Sequence, residues 1–219
     1  MRFGVLGTGV VGKTIASKLL ELGEDVTMGA RDAANANAAA WVTDAGERAH
    51  AGTFADAAAF GEIVVNATAG GGSLEALAAA GAEHLDGKLL IDISNPLDFS
   101  KGFPPTLSVA NTDSLGEQIQ AAHPEARVVK TLNTVNADVM VQPGLVPGRH
   151  AIFVCGNDAG AKAEVAQLLG RFGWPADAVV DLGDITSSRG TEMYLALWIR
   201  LYGPLGTGHF NIELRKGEG

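Results

Sequence analysis

Six residues near the start, Gly7-Thr8-Gly9-Val10-Val11-Gly12, constrain this chain more than any other stretch. A short apolar run, residues 3–6, precedes them, and Ile15, Ala16, Leu19, Leu20 and Leu22 follow at helical spacing. Strand, glycine turn and helix, in that order, are the setting in which GxGxxG binds a dinucleotide. Gly7 permits the tight turn. Gly9 lets the backbone approach a pyrophosphate, whose place a Cβ would take. Gly12 lets the helix lie close to the strand. The helix N-terminus then offers free N–H groups and the positive end of its dipole. A glycine turn that binds nothing does not explain three glycines at these offsets.

The rest of the chain repeats the alternation. Residues 25–30 read as a second buried strand and 33–45 as an alanine-rich helix. A short strand at 49–51 and a helical turn at 55–60 lead to a strand at 63–67, which ends in a glycine-rich loop, 69–72. Ser73 is placed to cap a helix through Ala80, and a strand at 88–93 runs into the turn Ser94-Asn95-Pro96-Leu97. A helix at 114–122, a strand at 126–132, a strand at 150–156, a helix at 159–172 and a strand at 178–182 follow. The last element, 191–202, is apolar on nearly every side, which predicts burial within the subunit or against another, and Gly203-Pro204 is expected to end it. Strands alternating with helices imply right-handed crossovers and a mostly parallel sheet. The expected fold is therefore α/β, a Rossmann-type doubly wound, mostly parallel sheet with a short helical C-terminal extension. Residues 1–183 would form the nucleotide-binding domain. Residues 184–219 would close the acceptor site without being an independent domain.

Composition removes several alternatives. Sixteen basic against 25 acidic residues give a net charge of −9, which argues against nucleic acid or an anionic membrane surface as partner. An anionic cofactor must then be held by local positive features. Cys155 is the single cysteine, so no internal disulfide framework exists and a reducing, cytoplasmic setting is expected. Arg2 is followed at once by the first strand, so no signal peptide is expected, and no apolar run reaches the ~18 residues of a membrane span. The five histidines show no metal spacing, so no metal is expected. No serine sits in a nucleophile elbow. Cys155 reads as a small core residue, and Lys130 and Arg189 could guide an anionic partner, although each taken alone reads as a surface charge.

Arg31 follows Gly12 by 19 positions, near the ~20 expected for the group that meets the adenosine ribose. A carboxylate there accepts from the 2′-hydroxyl of NAD and repels a 2′-phosphate. A guanidinium favours NADP. Two other readings remain open: a solvated Arg31 paired with Asp32, or Asp32 turned inward to serve NAD. Residues 66–70 and 94–97 follow two neighbouring central strands, where ligands of open α/β sheets bind, so Asn95 and Leu97 belong to the nicotinamide end of the crevice.

With those residues in hand, the chain resembles the NADPH-dependent coenzyme F420 reductase family over nearly its whole length. The likeness rests on Leu6-Gly7-Thr8-Gly9 with Gly12, on Gly29-Ala30-Arg31, on Leu132-Asn133-Thr134-Val135, and above all on the tail. That tail carries Ser188-Arg189, Glu192, the glycines between Leu201 and Gly208, Ile212 and Leu214. The resemblance implies that Thr8, Gly9, Val10 and Val11 cradle the pyrophosphate and that Arg31 meets the 2′-phosphate. It implies further nucleotide contacts from Ala30, Ala69, Gly70, Leu97 and Ala137. It places the deazaflavin near Asn133, Val135, Ser188 and Arg189. Bacterial relatives and the cytosolic domain of membrane ferric reductases are similar and need not use the deazaflavin. The expected activity is hydride transfer between NADP(H) and coenzyme F420 by a cytoplasmic homodimer, with no catalytic side chain. The alternatives are reduction of a flavin, a ferric chelate or another small acceptor, or NADPH sensing without turnover.

Overall fold

The computed structural model describes residues 1–217. Six strands run parallel: β1 (Arg2–Leu6), β2 (Asp25–Ala30), β3 (Ala49–Thr53), β4 (Ile63–Asn66), β5 (Leu89–Asp92) and β8 (Arg127–Thr131). β9 (Ile152–Cys155) pairs antiparallel with β8, and β10 (Val179–Asp181) runs parallel to β9. The sheet order is β10-β9-β8-β5-β4-β1-β2-β3. A separate two-stranded hairpin, β6 (Leu97–Asp98) with β7 (Thr106–Leu107), follows β5. The sheet is thus mostly parallel, with the last two strands reversed.

Neighbouring strand residues feed different cores, because side chains alternate across a strand. Val5, Val65, Ile91 and Val129 face one layer. There they meet α1 (Val10–Glu21) through Ile15 and Leu19, and α7 (Ala159–Phe172) through Leu168 and Leu169. Leu6, Val64, Leu90 and Val128 face the other, against α3 (Phe54–Phe60), α4 (Ser73–Ala80) and α5 (Leu115–Ala122) through Ala57, Leu77 and Ile119. Burial on both faces explains why the central strands read as unbroken apolar runs.

Several local expectations change. The second helix, α2, spans Ala36–Ala45, because Asn35 caps it by accepting from the N–H groups of Asn37 and Ala38. Ser73 does not cap α4. It is the first helical residue, and its hydroxyl is drawn off to Thr68 and Asn66. Gly203-Pro204 does not end the final helix. α8 runs Ser188–Leu205, with Pro204 in its last turn and Gly206 in the left-handed conformation as its cap. A proline so close to the end costs one backbone bond that the terminal turn can forgo. Nor is α8 buried all round. Ser188, Thr191, Glu192 and Leu195 are buried, whereas Met193, Leu197, Tyr202 and Leu205 are exposed.

Lys130 is not a surface charge. It is fully buried, with Nζ 2.7 Å from Asp92 Oδ2 and 2.8 Å from Glu192 Oε1, and it donates to the Ser94 carbonyl at 2.6 Å. Burial disfavours the ammonium, but Asp92 and Glu192 outweigh it and hold its pKa above the ordinary lysine value. Replacing Lys130 with Met should lower unfolding stability by about 3–5 kcal/mol, because two buried carboxylates lose their shared cation. Urea denaturation of the variant measures this. A loss under ~1 kcal/mol would mean that the carboxylates reprotonate or find water at little cost.

Candidate functional site

The strand order reverses between β1 and β4, and in open α/β sheets ligands bind outside the carboxyl ends of the strands at such a point. Gly7 leaves β1 with φ +117°, and a Cβ there would sit 2.6 Å from the Ala67 carbonyl oxygen. A Cβ on Gly12 would sit 2.1 Å from the Gly7 carbonyl oxygen. Both glycines are demanded by the protein itself. Gly9 is different, since a Cβ there meets nothing within 4 Å. It is the N-cap of α1 and makes no side-chain capping bond, and among the described residues the first N–H groups of the helix have no partners. Thr8 and Val11 are half-buried, and Val10 is exposed beside this open turn. The residues present fit a pyrophosphate.

Ala30 is buried at the end of β2, and Arg31 beyond it is exposed. Among the described residues, nothing forms an ion pair or hydrogen bond with the Arg31 guanidinium, and Asp32 instead accepts from the Ala34 N–H. The alternative Arg31–Asp32 pair is thus not formed among the described residues.

The loops after β4, β5 and β8 are tied into one wall. Asn66 ends β4, and its amide donates to Asp92 Oδ1 at 2.9 Å and Ser73 Oγ at 3.2 Å. Asn66 Oδ1 accepts from the Thr68 hydroxyl at 2.6 Å. Asp92 Oδ1 also accepts from the Ser94 hydroxyl at 2.7 Å. Gly70 lies so close to the next loop that a Cβ would be 2.0 Å from the Asn95 carbonyl oxygen. Asn95 and Asn133 exchange two hydrogen bonds, Asn95 Nδ2 to the Asn133 carbonyl (2.9 Å) and Asn133 Nδ2 to Asn95 Oδ1 (3.0 Å). Leu132, just before Asn133, holds φ +61°, a left-handed conformation rare for leucine. Ala69, Gly70, Asn95, Leu97, Asn133, Val135 and Ala137 thus all lie in the connections that follow the carboxyl ends of β4, β5 and β8.

Ser188 and Arg189 lie in the first turn of α8 and are engaged within the protein. Ser188 is fully buried, its hydroxyl 2.6 Å from the Ser114 hydroxyl. Arg189 is held in two hydrogen bonds to the Glu117 carboxylate, one of 2.7 Å from Nε. That contact keeps Glu117 below the usual carboxylate range and Arg189 above its ordinary value. Ser188 is enclosed, whereas Arg189 remains partly exposed beside its Glu117 contact. Cys155 is buried next to Lys130, and burial pushes its thiol up to about 12, which leaves it without nucleophilic character near neutrality.

Sequence reading gave Asp92 no role, placed Asn66 and Ser94 only in the loops at the nicotinamide end, and did not join any of them to Lys130 or Glu192. The signal within reach was that β4 and β5, otherwise apolar, each end on a polar residue, Asn66 and Asp92.

A Rossmann-type sheet with an open glycine cradle and an unpaired arginine after its second strand defines a protein that binds a phosphorylated dinucleotide. Residues 2–96 match the family described as NADP oxidoreductase, coenzyme F420-dependent. A 1.70 Å crystal structure from Arthrobacter sp. FB24, described provisionally as an F420-dependent NADP reductase, is 56% identical. It aligns with 99% of this chain and 100% of its own, at a TM-score of 0.93. The chain belongs to the F420-dependent NADP oxidoreductase family. It is also 27% identical over 195 residues to the metalloreductase STEAP3 of Rattus norvegicus, covering 87% of this chain and 36% of that protein. The chain thus spans about a third of the length of that relative. A reductive aminase from Aspergillus terreus in complex with NADPH shares the fold at a TM-score of 0.66 and 21% identity, over 94% of this chain and 62% of its own.

Gly9→Val should leave a folded protein, since the Gly9 backbone (φ −78°, ψ −174°) suits valine and the space beside it is open. The same side chain would stand in the pyrophosphate's place, and NADPH binding should fall at least a hundredfold, roughly 2.7 kcal/mol. Circular dichroism with a fluorescence titration checks both halves. Undiminished binding would put the nucleotide elsewhere.

Proposed function

We propose that this protein moves hydride between NADP(H) and the deazaflavin coenzyme F420. The observation that carries the reading is the cradle at Gly9, open and lined by unpartnered N–H groups, at the head of a crevice whose far wall is fixed by hydrogen bonds. NADPH, when bound, supplies hydride from its nicotinamide ring. The part left to this chain is to hold two planar rings in contact and keep water out. Asn95, Leu97, Asn133, Val135 and Ala137 carry no ionisable group, which suits a transfer that needs neither acid nor base. Membership of the F420-dependent family supports F420 as the acceptor, as does the description given to the Arthrobacter relative.

In this reading residues 184–219, the last two of which lie outside the described residues, close the acceptor side. Glu192 anchors α8 to Lys130 and to the N–H groups of Leu115 and Gly116. Beyond α8 the chain returns across the loop after β8. His209 Nε2 lies 3.1 Å from Asp138 Oδ2, and the Ile212 carbonyl accepts from the Ala151 N–H at 2.9 Å. The exposed apolar side chains of α8 support a homodimer, because Leu197 (54% exposed) and Leu205 (51%) lie on one helix with Met193 and Tyr202.

Mixing the purified protein with NADPH and F420 should bleach both chromophores, and omitting F420 should stop NADPH oxidation. Turnover with flavin or ferric chelates but not with F420 would replace the deazaflavin by those acceptors. Turnover with none of them would make the chain a nucleotide sensor. Light scattering should give twice the protomer mass at micromolar concentration, and Leu197→Glu should return it to the protomer mass. A wild-type monomer would leave the exposed face without this explanation.

A further inference from the structure

Arg31 and Asp32 stand side by side at the end of β2, and at a 2′-phosphate their charges would oppose each other. The structure separates their tasks. Asp32 Oδ1 accepts from the Ala34 N–H at 2.9 Å, and the Asp32 carbonyl accepts from the Asn35 N–H at 3.1 Å. Asn35 then repeats the device, accepting from Asn37 and Ala38 at 3.1 Å each to cap α2. Two side-chain turns in succession therefore carry the chain from β2 into α2. The Asp32 carboxylate is folded back into the first of them. The Arg31 guanidinium, one residue away, has no partner among the described residues and is exposed.

We propose that Asp32 is a positioning residue that sets the choice of nucleotide. Its carboxylate is held by the Ala34 N–H, which fixes the turn that presents Arg31 to the 2′-phosphate of NADP. The same bond withholds the carboxylate from the ribose hydroxyls it would serve in an NAD site. The inference rests on the reading that places the adenosine ribose of the dinucleotide beside Arg31.

The geometry separates three roles for this aspartate. As a turn anchor it is replaceable by asparagine, whose side-chain oxygen accepts the same N–H, but not by alanine. As a mere repulsive charge it would be improved by either replacement. As a ribose ligand it would matter to NADH as well as to NADPH.

The test is fluorescence titration of NADPH and NADH with the full-length wild type, Asp32→Asn, Asp32→Ala and Arg31→Ala. Asp32→Asn should keep the NADPH:NADH affinity ratio within about threefold, and Asp32→Ala should lower it about five- to tenfold. The change should lie in NADPH alone, with NADH unmoved, which a general loss of structure would not produce. Tighter NADPH binding by both variants would overturn the proposal in favour of simple repulsion. Weaker NADH binding by both would overturn it in favour of a ribose contact. An unchanged ratio in Asp32→Ala, or an equal loss in Asp32→Asn, also overturns it. An unchanged ratio in Arg31→Ala would instead remove the placement of the 2′-phosphate on which the inference stands.

Discussion

Lys130 lies sealed at the end of β8, with the Asp92 carboxylate of β5 on one side and the Glu192 carboxylate of α8 on the other. Taking three charges out of water costs several kcal/mol for each, and Coulomb attraction repays this only with good geometry and no polar atom left over. Here nearly every lone pair is used. Glu192 Oε2 accepts from Leu115 N–H and Oε1 from Gly116 N–H, both at 2.9 Å, so the second carboxylate also meets the positive end of α5. Asp92 Oδ1 is shared by Asn66 and Ser94. The cluster joins the centre of the sheet to the last helix, and no apolar contact could fix that junction with the same directionality.

From this cluster the polar wall of the crevice extends outward. Lys130 fixes the Ser94 carbonyl, Ser94 opens the loop that carries Asn95, and Asn95 locks Asn133 on the loop after β8. On the other side Asp92 holds Asn66, which holds Thr68 and, through it, Ser73 at the head of α4. The apolar sheet gives rigidity, and the polar ends of three of its strands convert that rigidity into a fixed set of loops. Leu132 in a left-handed conformation costs of order 1–3 kcal/mol. Its neighbours Lys130 and Asn133 are both anchored, which is how such a residue is kept in place.

Much of this was legible in the chain. The glycine turn, the alternation of strands and helices and the central strands follow from apolar periodicity, because both faces of the sheet are buried. Three features were not. The reversal of β9 depends on a long-range pairing of Lys130 with Cys155 and Thr131 with Val154, which leaves no local trace. Lys130 was misjudged because one lysine in an apolar run says nothing of Asp92, 38 positions away, or of Glu192, 62 positions away. For α8 the apolar composition predicts burial within the subunit or against another, without saying which side meets its own sheet. Its docked side is in fact partly polar, through Ser188, Thr191 and Glu192. At the site, Ser188 and Arg189 were placed at the acceptor by resemblance, and hydrogen bonds to Ser114 and Glu117 occupy them.

The three fingerprint glycines show how a structural requirement can be told from a functional one. At Gly7 and Gly12 the missing side chain is explained inside the protein, by carbonyl oxygens 2.6 and 2.1 Å from where a Cβ would stand. At Gly9 no atom of the described residues lies within 4 Å of that place. Open space alone is not diagnostic, since Gly170 and Gly190, within helices, also lack near neighbours. What distinguishes Gly9 is its place at the head of α1, where unpaired N–H groups and the helix dipole converge on that space. A side chain there would cost the fold nothing and would cost an anion its approach. The absence of the side chain therefore points outside the polypeptide, to a ligand with phosphate oxygens.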